Sequence, residues 1–481
     1  MSNPVLRIAR KEFTESLRDG RFRALAFAVL MLLAASLAAG WIGAREARRH
    51  IAVAETLEEQ AWLGQGPKNP HSAAHFGNFA FKPRPTLASL DPGVDAYLGT
   101  AVWLEAHRQG PFSLRPAEDA TATQRFGDLT AALTLQVLAP LLAIILGFQT
   151  FAGERERGTL RLLASLGLEP RTLALGKALG LAAALFLALG PAVALGVTTA
   201  AMSGGSSGAG PSLVPGLLLA AVYLVYFATL LALVIAVSAR APSPRAALVT
   251  LLGLWMAATL IVPRLAADLA ERLYPIPTSR AFFAAIDEDQ ANGVAGMGSR
   301  EERRARLEKE TLERYGARTL EELPVDFGGL SLQASEEHAN LVFDKHYAEL
   351  WRLYERQERL HLWAALASPT LAVRSVSMAL AGTDIERHRH FASAAEDHRR
   401  RLVKFLNDDL TYNSGEASFG YLADEALWRS APEFTYRAPA LAATLRDQAP
   451  ALVLLAAWLL AALLVAGRAV SRLKILPGGA S

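Results

Sequence analysis

The chain contains no cysteine, which excludes disulfides, thiolate-bound metals and cysteine nucleophiles. It also lacks a marked charge imbalance: 49 Lys and Arg against 46 Asp and Glu leave a formal net charge of +3 over 481 residues. So small a surplus, with no basic stripe carrying interleaved aromatics, argues against a nucleic-acid partner. Catalytic signatures are missing too. No G-x-x-x-x-G-K-S/T phosphate loop occurs, since Gly176-Lys177 is followed by Ala178, and there is no H-E-x-x-H helix. Carboxylate neighbours such as Asp287-Glu288-Asp289, Asp408-Asp409 and Glu105 near His107 read as charged helical surface. The chain is expected to be no enzyme in itself, and Asp91-Pro92-Gly93 reads as a structural bend.

What is present is apolar sequence in long runs. Hydrophobic residues make up 52% of a chain that is still 20% charged, a mixture that separates into apolar and polar segments. Six runs, at 24–43, 129–152, 178–201, 214–238, 246–263 and 449–467, are long enough to cross a hydrocarbon core, which takes about 20 helical residues. The first follows a long basic segment with Arg7, Arg10, Lys11, Arg18, Arg21 and Arg23, so it reads as an uncleaved span rather than a signal peptide. The N-terminal segment, the 153–177 loop, Arg240 with Arg245, and the 468–481 tail with Arg468, Arg472 and Lys474 together hold sixteen Lys and Arg on one side. The short loop at 202–213 on the other side has none. By the positive-inside rule both termini are expected in the cytoplasm.

This topology predicts an all-α polytopic membrane protein whose large, mainly helical extracytoplasmic domain is built from two loops, 44–128 and 264–448. In the second, Ser299 to Tyr315 offers Glu302 with Arg306 and Glu310 with Arg314 at i,i+4, and Glu336 to Trp363 runs without Gly or Pro. There Phe343, Tyr347, Leu350, Trp351 and Tyr354 form a stripe that reads as helix packing rather than a ligand site. Residues 1–23, with Val5, Ile8, Phe13, Leu17 and Phe22 among charges, read as an amphipathic interfacial helix or, more simply, a solvated basic lead-in.

The loop after the second span carries the clearest signal. Gly158 breaks the helix, Thr159 is placed to cap a new one, Leu160 to Leu166 give two turns, Gly167 suits the C′ position, and Pro170 can open the next helix. Leu160, Leu163 and Leu166 are expected on one face, leaving Arg155, Arg157 and Arg161 for an acidic or polar partner. Such a helix is either a handle for a cytoplasmic motor or a plain stop-transfer signal. Within the spans, Gln136, Gln149, Thr250 and Trp255 are polar or amphipathic enough to face protein or a pathway, and Pro140 and Gly190-Pro191 are candidate kinks.

All ten histidines fall in the two excursions. A helix opened by Pro70 would set His71 and His75 at i,i+4, a spacing able to bind a borderline metal. The competing reading is that the histidines are surface or hydrogen-bonding residues, with His388 and His390 pointing apart.

Phe151-Ala152-Gly153-Glu154-Arg155-Glu156-Arg157-Gly158-Thr159-Leu160, with Leu166-Gly167 and Gly176-Lys177, resembles the coupling-loop motif of ABC-2 type transporter permeases. Ile8-Ala9-Arg10-Lys11-Glu12-Phe13 with Arg18-Asp19 is similar to that family's N-terminal helix. Asn69-Pro70-His71-Ser72-Ala73-Ala74-His75 and Pro432-Glu433-Phe434-Thr435-Tyr436-Arg437 resemble a bacterial subfamily with enlarged extracytoplasmic loops and an uncharacterised domain. The resemblance implies a subunit in the bacterial inner membrane, paired with a second copy or a paralogue. A cytoplasmic ABC ATPase dimer would supply ATP and Mg, no cofactor would be bound by this chain, and a periplasmic protein is a further possible partner. It implies that Glu154, Arg155, Glu156, Arg157, Gly158, Thr159, Leu160 and Arg161 couple to the ATPase, and that the spans holding Gln136, Gln149, Thr250 and Trp255 line the subunit interface. Export is the expected function. The alternative is a membrane-anchored protein that transmits ATP-driven motion to an extracytoplasmic partner without transport.

Overall fold

The computed structural model describes residues 3–115, 118, 129–202, 213–294 and 296–473; the uncharged 203–212 segment and Lys474, both used above to orient the chain, lie outside them. Helix α1 (Pro4–Arg18) ends at Asp19, whose carboxylate accepts from the Arg21 backbone N–H at 2.7 Å and starts α2 (Gly20–Leu63). α2 is the first of six helices long and apolar enough to cross a membrane. The others are α4 (Ala131–Glu156), α6 (Pro170–Met202), α7 (Leu213–Arg240), α8 (Pro244–Leu273) and α14 (Ala449–Ser471). Each coincides with one of the apolar runs, so the chain is a mainly helical multi-pass membrane protein. α2 is much longer than the run that marks it. No Gly or Pro interrupts residues 44–63, so its 44 residues continue as one rod about 66 Å long.

Two spans carry a π-helical stretch ahead of a proline, which removes a backbone donor. α4 carries a π-helical stretch at Thr134–Leu138 ahead of Pro140, and α8 carries one at Ala257–Ile261 ahead of Pro263. Carbonyls released in this way must find donors away from water. Tyr226 Oη donates to the Gln136 carbonyl at 2.9 Å, Trp255 Nε1 to that of Val137 at 2.9 Å, and Ser368 Oγ to that of Ala258 at 2.6 Å.

α1 lies along α6, as an amphipathic helix would, but its apolar side meets protein. Gly176 and Gly180 permit this approach: a Cβ on Gly176 would stand 2.6 Å from Ile8 Cβ, and one on Gly180 2.6 Å from the Ala9 carbonyl.

The polar excursions fold together beyond one end of the spans. The first supplies α3 (Pro70–Phe76) and a three-stranded antiparallel meander, β1 (Asn78–Phe81), β2 (Ala101–Glu105) and β3 (Arg108–Ser113). The second supplies α9 (Ser279–Asn292), α10 (Arg300–Tyr315), α11 (Phe327–Ala364), α12 (Pro369–Ala381) and α13 (Ile385–Asn413). The sheet departs from the all-helical expectation. Ala80, Val102 and Leu104 pack on Phe391 and Ala395 of α13, so tertiary burial rather than a marked turn sequence selects the strands. α12 is also unexpected, because Ala372, Val373 and Val376 join the core of the spans. The predicted aromatic stripe does pack: Phe343 is buried with Ile286 of α9, and Tyr347 meets Phe282 edge-on at 5.1 Å. Glu302, however, is drawn into a capping box with Ser299 instead of pairing with Arg306, whose guanidinium turns to the Met297 carbonyl.

The two excursions are stitched by Trp62 Nε1 donating to the Trp428 carbonyl at 2.9 Å, by Asn69 Nδ2 donating to Phe419 O at 3.1 Å, and by a Lys68–Ala423 bridge. On α13, His390 is exposed and bonds Tyr436 Oη at 3.1 Å, whereas His388 and His398 are buried against aromatic rings. These two are core residues, contrary to the surface reading. Burial pushes His388 down to about 3 and His398 to about 4. The unfolded chain takes up these protons near the ordinary histidine value of about 6.5, while the folded chain resists until far lower pH. Their contribution is therefore complete above that value and falls with acid, by about 2 kcal/mol per histidine on reaching pH 5. We expect the domain's melting temperature to drop over this window, and His398→Phe to lessen the drop. A wild-type midpoint that is constant across the window would contradict the assignment.

Candidate functional site

The segment from Phe151 to Gly167 is fixed to three elements at once. Ser238 Oγ of α7 accepts from the backbone N–H groups of Phe151 and Ala152 at 3.0 and 3.3 Å, and donates to the Phe148 carbonyl at 2.9 Å. Arg155 spends its guanidinium on the C-terminal end of α7, donating to the carbonyls of Ala239 and Ala241, both at 2.5 Å. A cation is favoured there because the last carbonyls of a helix are unpaired and carry its negative pole. Arg155 is thus an internal anchor, not the free cation expected from sequence.

Beneath it lies a buried charge cluster. Lys177 Nζ of α6 stands 2.5 Å from Glu12 Oε1 of α1 and 2.8 Å from Glu154 Oε1, and all three residues are buried. Desolvating a single ammonium here would be costly, and two carboxylates offset that cost while locking α1, α4 and α6 in register. Lys177 is accordingly held between carboxylates rather than presented to a phosphate.

The loop helix α5 (Thr159–Ser165) begins one residue earlier than expected. Gly158, at φ 75°, takes the capping position, and Thr159 is already helical, its hydroxyl bonded to the Glu154 carbonyl at 3.3 Å. Its C-terminus is as predicted: Gly167 N–H bonds Ala164 O at 3.0 Å and Leu168 N–H bonds Leu163 O at 3.4 Å, a Schellman pair around a glycine at φ 75°. Leu160 and Leu163 pack on α7 and α14. Leu166 is instead 71% exposed, because the cap turns it out. What the loop presents is Glu156, Arg157, Thr159, Arg161, Leu162 and Leu166.

The four span residues are not gathered into one pathway. Gln136 is buried and donates to Tyr223 Oη at 3.0 Å, Trp255 ties α8 to α4 through Val137, Gln149 is half-buried, and Thr250 is exposed on the outer face of α8. None of them lines the small apolar cavity between α2, α4, α6 and α7. Asp91 reaches that cavity. The bend reading holds, since its Oδ1 accepts from Gly93 N–H at 3.1 Å, but Ser377 Oγ also donates to Oδ2 at 2.5 Å and burial raises its carboxyl above the usual range.

In the polar domain His71 and His75 do share one face of α3, and the structure brings His107 to them. Ligand nitrogens of the three lie within 4.8 Å of one another. His107 sits in the two-residue turn between β2 and β3 at φ 63°, a conformation costing a non-glycine residue about 1 kcal/mol. Glu336 of α11, 2% exposed, holds it through Oε1, which accepts from the His107 backbone N–H at 2.6 Å and meets Nδ1 at 2.5 Å. Arg399 of α13 donates to Glu336 Oε2 at 3.2 Å and to both oxygens of Glu396. Burial alone would raise the Glu336 carboxyl, but the His107 hydrogen bonds and the Arg399 charge bring it below its usual value. Burial keeps His71 below its own usual value, so its ring is neutral at pH 7.

Residues 281–437 match the family described as a domain of unknown function, DUF3526. No curated protein matches the chain. The match covers α9 to α13, and with them Glu336, Arg399 and Asn407, while all three clustered histidines lie before it in the chain. It agrees with the uncharacterised-domain part of the resemblance.

Sequence reasoning missed Glu12 and Lys177 as partners, and missed His107, Glu336 and Arg399. For the first pair a signal existed: a lysine seven residues into an apolar helix demands a carboxylate, and Glu12 lies on the face of α1 that holds Ile8. For His107 the strand pairing that delivers it had no glycine or asparagine turn to announce it. Replacing Lys177 by Met should leave two buried carboxylates unpaired and destabilise the protein by about 3–5 kcal/mol. Adding Glu12→Gln and Glu154→Gln should restore most of that loss in detergent melting experiments. A single variant as stable as wild type would show that the cluster carries no structural weight.

Proposed function

We propose that the chain is the permease subunit of an ATP-driven ABC exporter, working in a bacterial inner membrane with both termini in the cytoplasm. The observation that carries this reading is a short helix, α5, whose root is clamped by Lys177, Arg155 and Ser238 while its tip projects charged and apolar side chains outward. A stop-transfer signal needs only charge; it does not need a buried ion cluster beneath it. A rigid knob of this kind suits docking in a groove of a separate cytoplasmic ATPase, which would bind ATP and Mg and pass its motion to α1, α4 and α6. Val249, Thr250, Leu252 and Leu254 leave a broad face of α8 uncovered, which suits pairing with a second copy or a paralogue.

The unbroken course of α2 favours a second use of the same motion. It runs from the α1 junction to Trp62, which packs edge-on against Trp428 at 6.0 Å between ring centres. A rod joining the membrane end to the polar domain would carry force to an extracytoplasmic protein even if nothing were transported.

The test is reconstitution with a partner ATP-binding-cassette ATPase. Arg157 and Arg161 are exposed and bond nothing that the fold requires, so Arg157→Glu with Arg161→Glu should leave the melting temperature unchanged. It should weaken ATPase association and coupled hydrolysis by about tenfold. Equal association and hydrolysis with the charges reversed would count against the assignment.

A further inference from the structure

We propose that His71, His75 and His107 form a three-imidazole site for a divalent first-row transition-metal ion of the Zn2+ type, with a fourth position open to solvent. The inference stands on the polar domain alone and does not depend on the permease reading.

The hydrogen bonds around the cluster assign the ring protons. Glu337 Oε1 is an acceptor, so Gln333 directs its Nε2 donor there at 3.0 Å and its Oε1 toward Asn407 Nδ2 at 3.2 Å. Asn407 must then offer Oδ1 to His71 Nδ1 at 3.0 Å, which places the His71 proton on Nδ1. The Glu336 carboxylate, 2.5 Å from His107 Nδ1, does the same for His107. With Nδ1 facing its partner in both rings, Nε2 is the nitrogen that each ring can present to a ligand. Those two Nε2 atoms face each other 3.2 Å apart, so either a proton shared between the rings or a bound cation must lie between the two lone pairs.

The spacing fits such a cation. Two nitrogens, each about 2.1 Å from one tetrahedral ion, stand about 3.4 Å apart. The third ligand nitrogen is within 4.8 Å, and His75 is exposed, free to close the gap. Carboxylate and amide partners behind metal-bound imidazoles fix the tautomer and raise the basicity of the ligand; Glu336, itself held by Arg399, and Asn407 occupy those positions. An all-imidazole set without carboxylate ligands suits Zn2+ and its neighbours over Mg2+ or Ca2+. Exposure on the His75 side leaves room for a water or an incoming ligand, as in sites with three protein ligands. The ion would fasten α3 to the β2–β3 turn, while Asn407 and Glu336 tie that pair to α13 and α11.

The experiment uses the full chain in detergent, stripped with a chelator and titrated with Co2+, then competed with Zn2+. We expect one Co2+ per chain with the strong visible absorption of tetrahedral nitrogen coordination, displaced stoichiometrically by Zn2+. His107→Ala and His75→Ala should each weaken binding by more than about 100-fold, and Glu336→Gln by about 10- to 100-fold. Because His75 is exposed, His75→Ala should keep the melting temperature of the stripped protein while losing its rise with Zn2+, which separates lost ligation from misfolding. No tetrahedral Co2+ signal in the wild type would overturn the proposal, and so would binding unchanged by His75→Ala and His107→Ala.

Discussion

The arrangement rests on one lysine placed where water is scarce. Lys177 lies in an apolar helix, and a lone ammonium there would be too costly to keep. Glu12 and Glu154 resolve this, and because they come from the N-terminal helix and from the root of the loop, neutralising one charge fixes three segments. Gly176 and Gly180 are the steric side of the same requirement, since only without side chains at those positions can α1 come close enough for Glu12 to reach. Arg155 then adds α7 through the carbonyls that end it. The loop that looked like a simple exit from the membrane is thereby the best-anchored segment on that side of the spans.

A second set of polar contacts does comparable work inside the span bundle. Pro140 and Pro263 each displace their helix into a π turn, and the carbonyls left over are met by Tyr226, Trp255 and Ser368. Gln136 and Trp255 were expected to face protein or a pathway because polar groups in spans are costly. Both bond protein here, Gln136 donating to Tyr223 Oη and Trp255 to the Val137 carbonyl.

The six spans were legible because length and hydropathy suffice to mark them, and the loop's Gly158, Gly167 and Pro170 were legible because backbone geometry restricts those positions. Less could be read where long-range contacts decide. The three-stranded sheet owes its strands to burial on α13, and His107 reaches His71 and His75 only through that pairing. Glu336, 229 residues away from His107 in sequence, looked like one more charge on a polar helix. Leu166 was misplaced because a Schellman turn reverses the chain just where a straight helical projection would put that side chain inside. Arg155 was misread because a cation beside an apolar span looks the same in sequence whether it awaits a partner or caps a neighbouring helix.

The central claim is that the buried lysine makes the loop and the N-terminal helix one rigid body. A chain without cysteine accepts spin labels cleanly, so Arg7→Cys and Arg161→Cys can report the distance between α1 and α5 by pulsed electron paramagnetic resonance. The account predicts a single narrow distribution that broadens or splits when Lys177→Met is added. A distribution already broad in the otherwise native chain, or one that Lys177→Met leaves untouched, would contradict it.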